Sequence, residues 1–317
     1  MDKPMVRSNS FAEPMANNLK TQVLADFKQR FGRIRKLENS QSLYDVGDNA
    51  LRVYFRYSAL HGGDRTFFGL RQDDLRRLEG HASVICFLWD NQSAPLFIPF
   101  SEYEEVFRHL TPAGDGQYKV QVYPGGDSAE LYLPKAGRFN IDAFFGWEVV
   151  DRLVDKSRVS SIPDLSHVQI QSLLGAIGSR KQFDVWIPRV DRTKLDRSVA
   201  EPFQCCSELP LGFESVQFIL PEVDVVWIER GSGVLRAMFE VEHSTPVYSG
   251  LLRFNDIHLV ASQLKPTFGI VANEDRRELF LRQISRPTFR ASGLNDLCTF
   301  MKYEDVFCWY ERIRRAT

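Results

Sequence analysis

Short apolar strands and longer amphipathic helices follow each other along this chain in two different patterns. From Leu19 to Phe31 an apolar residue recurs at every fourth position, which predicts a helix. Over 45–150 the apolar runs are short, aromatic and β-branched, as in LRVYFRYSAL, SVICFLWD and YKVQVYP, and turn formers such as HGGD and PAGDGQ separate them. This pattern is typical of a compact, largely antiparallel sheet, with DDLRRLEG and SEYEEVFRHL as short helices between strands.

After residue 157 the elements become longer. SRVSSIPDLS, at 157–166, reads as a linker, and HVQIQSLLGAIGSRKQ after it reads as a helix. Strands, helices and further strands then alternate, which predicts a mixed α/β layer. The predicted fold class is therefore α/β, with a C-terminal mixed sheet flanked by helices and a β-rich α+β domain before it. The predicted organisation is a flexible tail over 1–18, one domain over 19–156 and a second over 157–317.

Composition and charge limit the class of protein. The formal net charge is −1 and the pI is near 6.6, so a nucleic-acid surface would need local segregation of the Lys and Arg residues. The five cysteines have no CxxC spacing, which favours a reduced, intracellular protein. The N-terminus lacks the apolar core of a signal peptide, and no apolar run reaches the ~20 residues that cross a bilayer. We therefore expect a cytoplasmic protein without a membrane partner.

Three acids interrupt two apolar segments, PEVDVVWIE and LRAMFEVEH. Glu240 and Glu242 share one face of a strand, and Asp224 lies on the segment before it, so a hairpin would bring the three carboxylates together. Hard divalent cations take oxygen ligands, and bound Mg²⁺ suits phosphodiester hydrolysis. The alternative interpretation is that these acids end strands, facing solvent or paired with Arg.

The segment Asp224…Glu240-Val241-Glu242 resembles the core motif of the PD-(D/E)xK nucleases, the restriction-endonuclease-like superfamily, in a D…ExE variant. FEVEHSTPVYSGLLRFNDI and HVQIQSLLGAIGSRKQFDVWIPRVDR extend the resemblance over about residues 165–310. It implies that Asp224 and Glu240 bind Mg²⁺, with Mn²⁺ as a substitute. It also implies that Glu242, in place of the usual Lys, helps to deprotonate the attacking water. Gln171 stands where such nucleases place an acid or amide near the metal, with an exposed surface position as its alternative.

Basic residues near these segments are candidates for DNA contact. Arg253 has the fork geometry that suits a scissile phosphate, and an ion pair with Asp256 or Glu240 is its alternative. His243 is expected on the opposite face from Glu242, in the core or behind the site. The further candidates for phosphate contact, against a simple solvated face, are Lys181, Arg189 and Arg192.

The N-terminal domain has the aromatic and β-rich texture of small DNA-reading domains, and we expect it to choose the target. The candidates for groove contacts lie around the HGGD turn: Arg56, His61, Arg65 and Arg71. Aromatic residues are candidates for a flipped-base pocket, with the core as their alternative, most strongly for Phe67, Phe68 and Trp89. They are Tyr54, Tyr57, Phe67, Phe68 and Trp89.

The resemblance implies a Mg²⁺-dependent DNA endonuclease of restriction type, acting against foreign DNA. Its expected partners are double-stranded DNA, a second copy of the chain in a stable or transient homodimer, and a cognate DNA methyltransferase. A structure-specific repair or recombination nuclease remains an alternative, as does a non-catalytic DNA-binding protein with a relic nuclease domain. A nucleotide-dependent metabolic enzyme is disfavoured, because GDGQ and PGGD lie between short β segments with no helix after them.

Overall fold

A computed structural model of the chain describes residues 12–37, 40–47, 50–61, 64–125, 128–159, 164–242, 247–264 and 266–315. The chain divides into two compact units, Met1–Ser160 and Ser161–Thr317. The first helix, α1 (Ala12–Phe31), begins inside the segment that the sequence predicted as a tail. Residues 1–11 of that predicted tail and His243 lie outside the described residues.

The first unit contains ten strands and four helices among its described residues. Its strands are β1 (Ile34–Lys36), β2 (Leu43–Val46), β3 (Leu51–Tyr57), β4 (Leu60–His61), β5 (Arg65–Arg71), β6 (Ser83–Leu88), β7 (Leu96–Pro99), β8 (Gln117–Tyr123), β9 (Glu130–Leu133) and β10 (Gly137–Asn140). The helices after α1 are α2 (Gln72–Arg76), α3 (Phe100–Arg108) and α4 (Glu148–Val159).

These strands form two five-stranded sheets, where the sequence predicted one. The first has the order β1-β2-β3-β6-β7 and the second β10-β9-β8-β5-β4. The pairing is antiparallel throughout the described strands except between β3 and β6, which are parallel. Alternating apolar residues explain the layers, because Phe68, Leu70 and Val120 of the second sheet pack against Tyr54 and Phe87 of the first.

The second unit is built around one mixed sheet with the order β11-β12-β13-β14-β15. Its elements are α5 (His167–Arg180), β11 (Phe183–Trp186), β12 (Val225–Glu229), β13 (Leu235–Glu242), α6 (Val247–Val260), β14 (Thr267–Ala272), α7 (Arg277–Ile284), α8 (Pro287–Ser292), α9 (Leu294–Leu297), β15 (Cys298–Lys302) and α10 (Tyr303–Arg315). β12 pairs with β11 and β13 antiparallel, whereas β14 pairs with β13 and β15 parallel.

Helices cover both faces of this sheet, which confirms the α/β class predicted from the sequence. Residues of α5 and α10 pack on one face, and residues of α6, α7 and α8 pack on the other. The sheet approaches α5 closely at Gly178, where a Cβ atom would lie 2.4 Å from Trp227 Nε1. The Trp227 indole donates a hydrogen bond to the Leu174 carbonyl oxygen at 3.0 Å and ties the two layers together.

The predicted linker is helical at its start, because α4 runs to Val159. Residues 160–163 of that linker lie outside the described residues. α5 then begins with a capping box, in which the Ser166 side chain and Gln169 bond each other's backbone amides. Within the described part of the chain, no helix combines the length and the apolar character needed to cross a bilayer.

Candidate active site

Three acidic residues converge where β12 begins and β13 ends. The predicted hairpin is present, with Val225 of β12 opposite Phe239 of β13, and Asp224 directly precedes β12. Glu240 and Glu242 alternate with Val241 and therefore point to one face of the sheet, toward α6. Both are buried, with relative exposures of 1% and 2%. Because β13 is the central strand, both carboxylates lie inside the unit.

Backbone and side-chain donors hold Asp224 in place. Its Oδ2 atom accepts a hydrogen bond from the Val241 amide at 2.7 Å, which locks the carboxylate to β13. His167 Nε2, in the first turn of α5, lies 3.5 Å from Asp224 Oδ1. The hydrogen bond to Asp224 raises the pKa of His167 above its ordinary value, against the effect of burial. Asp224 is therefore held between the backbone of β13 and the first turn of α5.

Gln171 lies one helical turn after His167 on the same face of α5. It is fully buried, so the exposed surface position considered as its alternative is wrong. Its Nε2 atom is 3.4 Å from both the carbonyl oxygen and Oδ1 of Asp224. Among the described residues, its Oε1 atom has no hydrogen-bond partner. A buried acceptor without a donor costs about 1–3 kcal/mol, which a ligand at this point would offset.

Arg253 of α6 pairs with Glu240 in a two-pronged ion pair. Arg253 Nε is 2.7 Å from Glu240 Oε1, and Nη2 is 2.6 Å from Oε2. Burial raises the pKa of Glu240, and the charges of Asp224 and Glu242 raise it further, to about 8, against the opposing effect of Arg253. The three acids therefore lie close enough to disfavour one another's charged forms, and a bound cation would favour the ionised form of Glu240.

Gly250 lets α6 approach the acids. A Cβ atom at this position would lie 2.9 Å from Glu242 Oε1 and 3.2 Å from Glu240 Cβ and Cγ. The two glutamate side chains thus occupy the space that a larger residue at position 250 would fill.

The donor set of the site fits a hard divalent cation. Carboxylate and amide oxygens are the atoms that Mg²⁺ prefers. In the arrangement described, however, no three His, Cys, Asp or Glu side chains are grouped so that they could hold one ion. The reason lies in the present contacts, since Arg253 takes both oxygens of Glu240 and the Val241 amide takes one of Asp224. A metal would bind here only if Arg253 left Glu240.

His167 is the residue that the sequence reasoning missed. Its signal was its position four residues before Gln171, which places both side chains on one face of a helix. His167 is the first residue of α5, and the side chain of a residue at a predicted helix boundary is easily omitted when the residues of one helical face are listed.

The other basic candidates of this unit are dispersed. Lys181 is buried, with its ammonium 5.1 Å from the Trp309 ring centroid, so its predicted contact with DNA phosphate is inconsistent with its position. Arg189 is exposed and donates to the Ser207 carbonyl oxygen at 3.2 Å. Arg192 is half-buried over the Trp186 ring and donates to the Ile187 carbonyl oxygen at 2.8 Å. Only Arg189 and Arg192 remain candidates for DNA contact.

The basic candidates of the first unit lie on two sheets. His61, Arg65 and Arg71 are exposed on β4 and β5, whereas Arg56 is half-buried on β3 with its guanidinium 5.7 Å from the Tyr54 ring centroid.

The aromatic candidates of this unit do not share one open pocket, so the predicted flipped-base pocket is not formed by them. Tyr54, Phe68 and Trp89 are buried in the core between the two sheets. Phe67 is 43% exposed on the other side of β5, although the sequence interpretation favoured the core for it.

Comparison with known proteins gives two matches. Residues 149–316 match the family model described as the C-terminal domain of the type II restriction enzyme NmeDI. The type II restriction enzyme NmeDI of Neisseria meningitidis serogroup C is 30% identical over 132 residues, which cover 39% of this chain and 37% of that protein. The alignment thus spans little more than a third of this relative. No solved structure matches the chain.

Proposed function

We propose that this chain, which belongs to the family of the type II restriction enzyme NmeDI C-terminal domain, is a restriction endonuclease that hydrolyses phosphodiester bonds of double-stranded DNA. The family match covers residues 149–316, which include all of the acids at the end of β13. The observation that carries the proposal is the convergence of Asp224, Glu240 and Glu242 beside the unpartnered Gln171 oxygen. A D…ExE variant of the PD-(D/E)xK motif accounts for these residues.

In this proposal Asp224 and Glu240 would hold Mg²⁺, or Mn²⁺ in its place, with the Gln171 amide beside Asp224. Bound Mg²⁺ would activate water and stabilise the leaving oxygen of a phosphodiester. Glu242 takes the proton of the water that attacks phosphorus, and the 3′ or 5′ oxygen leaves as the P–O bond breaks. His167 keeps Asp224 oriented. Arg253, once it has left Glu240, has a planar fork for the non-bridging oxygens of the same phosphate.

The first unit chooses the target in this proposal, with His61, Arg65 and Arg71 as groove contacts. Cutting both strands takes two active sites, which favours a homodimer, stable or transient, and a cognate methyltransferase would protect the host DNA. We place this activity in the cytoplasm, in defence against foreign DNA. The complete set of acids argues against a non-catalytic relic of a nuclease domain. A repair nuclease would differ from a restriction enzyme by cutting branched or nicked DNA.

The direct test is incubation of the purified chain with methylated and unmethylated plasmids, with Mg²⁺ or with EDTA. We expect discrete fragments from unmethylated plasmid in Mg²⁺ and none in EDTA. Branched and nicked duplexes in parallel separate a restriction enzyme from a repair nuclease. Fragments that form equally well in EDTA would contradict the metal dependence.

Glu242→Lys restores the residue usual in the motif, and we expect it to impair this site. Glu242 is buried beside Gly250, so a longer side chain has little room. The ammonium would also pair with Glu240 or Asp224 and compete with metal. We expect cleavage about a hundredfold slower than the parent, as for loss of a general base, with partial recovery at high Mg²⁺ or Mn²⁺.

The measurement for Glu242→Lys is a cleavage time course over a range of metal concentrations, with Glu242→Gln as the control that removes charge and keeps size. Parental rates for Glu242→Lys at every metal concentration would show that a carboxylate is not needed at this position.

A further inference from the structure

The second sheet of the first unit, β10-β9-β8-β5-β4, has an uncovered face. The first sheet is packed on both sides, by the second sheet on one side and by α1 and α4 on the other. The second sheet contributes its inner residues, among them Phe68, Val120 and Leu131, to the core between the sheets. Its outer residues are exposed or half-buried along β5, β8 and β10. We call this side the outer face.

The outer face is polar and aromatic, and most of its charged side chains are basic. Strand alternation and register assign it His61, Arg65, Phe67, Gly69, Arg71, Gln117, Lys119, Gln121, Tyr123, Glu130, Tyr132, Arg138 and Asn140. Within this set no side chain is aliphatic, and Arg and Lys outnumber acids. An antiparallel sheet commonly packs one face on the core and leaves the other in contact with solvent. Arginine, amides and aromatic rings together are the side chains that contact nucleic-acid bases and phosphates.

The arrangement of these side chains follows the order of the strands. β8 is the central strand, and it presents the amides of Gln117 and Gln121. Arg138 lies on β10 and His61 on β4, each two strands from the centre. With about 4.8 Å between strands, the backbones of β10 and β4 lie about 10 Å from that of β8. The major groove is about 12 Å wide and has phosphates along both sides. Amides on the central strand, with arginines on β5 and β10, therefore suit base edges and the backbone beside them.

Contacts among these residues fix their orientation before any ligand binds. The Tyr123 hydroxyl donates to Gln121 Oε1 at 2.7 Å, which holds the amide on the face. The Arg138 guanidinium lies 4.5 Å from the Tyr123 ring centroid and bonds Glu130 at 2.6 Å. On the other flank, Arg65 lies 5.4 Å from the Phe67 ring centroid.

Gly69 makes room for the second central amide. A Cβ atom at this position would lie 1.8 Å from Gln117 Oε1, so the Gln117 side chain occupies the space that a larger residue would fill. The Gln121 amide is thus held by the Tyr123 hydroxyl, and the Gln117 amide lies in the space left by Gly69.

We propose that the outer face is the surface with which this protein reads duplex DNA. Gln121 contacts base edges in the major groove, and Gln117, on the same strand β8, contacts the edges of neighbouring bases. Arg138 and Arg65 contact the backbone phosphates on the two sides. This inference rests on the proposed function and adds to it the residues that select the target.

The test uses the full-length chain with Glu240→Gln, which keeps DNA uncut, and a pool of random duplexes in Ca²⁺. We expect the parent to enrich a motif. Gln121→Ala should bind that motif about tenfold more weakly or worse and accept other bases at one or two positions. Arg138→Ala should weaken binding to every sequence and reduce the slope of affinity against salt by about one. The matched controls are the exposed Gln41→Ala and Arg33→Ala, away from the outer face, which should change neither quantity.

The outcomes separate this surface from the nuclease. If the wild-type chain cuts DNA while Gln121→Ala and Arg138→Ala keep the parental motif and affinity, the proposed role of the outer face is wrong. The proposed nuclease activity is then unaffected. If the parent selects a motif through Gln121 but the wild-type chain cuts no DNA in Mg²⁺, the DNA-reading role of the outer face is supported. The proposed nuclease activity is then wrong. If the parent enriches no DNA motif, or prefers an RNA duplex, the proposal that the outer face reads duplex DNA is wrong.

Discussion

Replacing Asp224 by Asn, or Glu240 by Gln, is expected to slow DNA cleavage at least about a thousandfold and to leave the fold intact. Losing a metal ligand removes several kcal/mol of transition-state stabilisation, and each 1.36 kcal/mol is about a factor of ten in rate. The side chains keep their size, so the packing around β13 is preserved. The measurement is the single-turnover rate of duplex cleavage in Mg²⁺.

A second readout for these variants is independent of activity. Ca²⁺ or Mg²⁺ should raise the melting temperature of the parent, and neither ion should do so for Asp224→Asn or Glu240→Gln. Glu229→Gln is the matched control, since Glu229 lies on the same strand pair but is exposed. Full cleavage by both site variants, or equal stabilisation by metal in all the chains, would remove the proposed site.

Asp45→Asn is expected to destabilise the first unit by about 3–5 kcal/mol, the usual effect of removing one partner of a buried ion pair. Asp45 Oδ1 accepts from Arg52 Nε at 2.8 Å, and both side chains are buried between neighbouring strands. Arg35 adds a bond to Asp45 Oδ2 at 3.0 Å. The substitution leaves the Arg52 charge buried with a neutral partner. Amide hydrogen exchange across β2 and β3 in increasing urea measures the loss.

The same pair gives a pH dependence with a defined sign. Burial alone would raise the pKa of Asp45, but the charge and hydrogen bond of Arg52, with His81 and Arg35, hold it well below its ordinary value of 3.8. A depressed pKa stabilises the fold fully above pH 3.8 and progressively less as the pH falls below it. The difference between parent and Asp45→Asn should therefore shrink by about 1 kcal/mol between pH 7 and pH 3. The exposed Asp64→Asn is the control. A difference between the parent and Asp45→Asn that does not change with pH would contradict the ion-pair account.

The candidate site was largely within reach of sequence reasoning. A period of two places Glu240 and Glu242 on one face of a strand, and a short turn brings Asp224 beside them. These relations depend only on the local backbone geometry. The pairing partner of Arg253 was not decided by local geometry, because Asp256, three residues away, and Glu240, thirteen residues away, were both candidates. The packing of α6 on β13, at the point where Gly250 has no side chain, decided for Glu240.

Burial was the quantity that sequence patterns judged least well. Lys181 follows a helix and precedes a strand, which suggests an exposed turn, but its stem and ammonium lie against Trp309 of α10. Phe67 and Phe68 are equally apolar, yet only Phe68 points into the core. The sequence shows that alternate residues of β5 lie on opposite faces. Which of the two sets points into the core depends on the sheet that packs against it.

The sequence by itself determined the α/β class, the order of the elements in the second unit and the acids that share a face, because the periods of strands and helices are local properties. Tertiary structure decided what each face meets. It split the predicted sheet of the first unit into two, covered one on both sides and left the outer face of the other open. It also brought His167 and Gln171 of α5 to Asp224. Such contacts join residues far apart in the chain, and their geometry follows from how layers pack rather than from any local period.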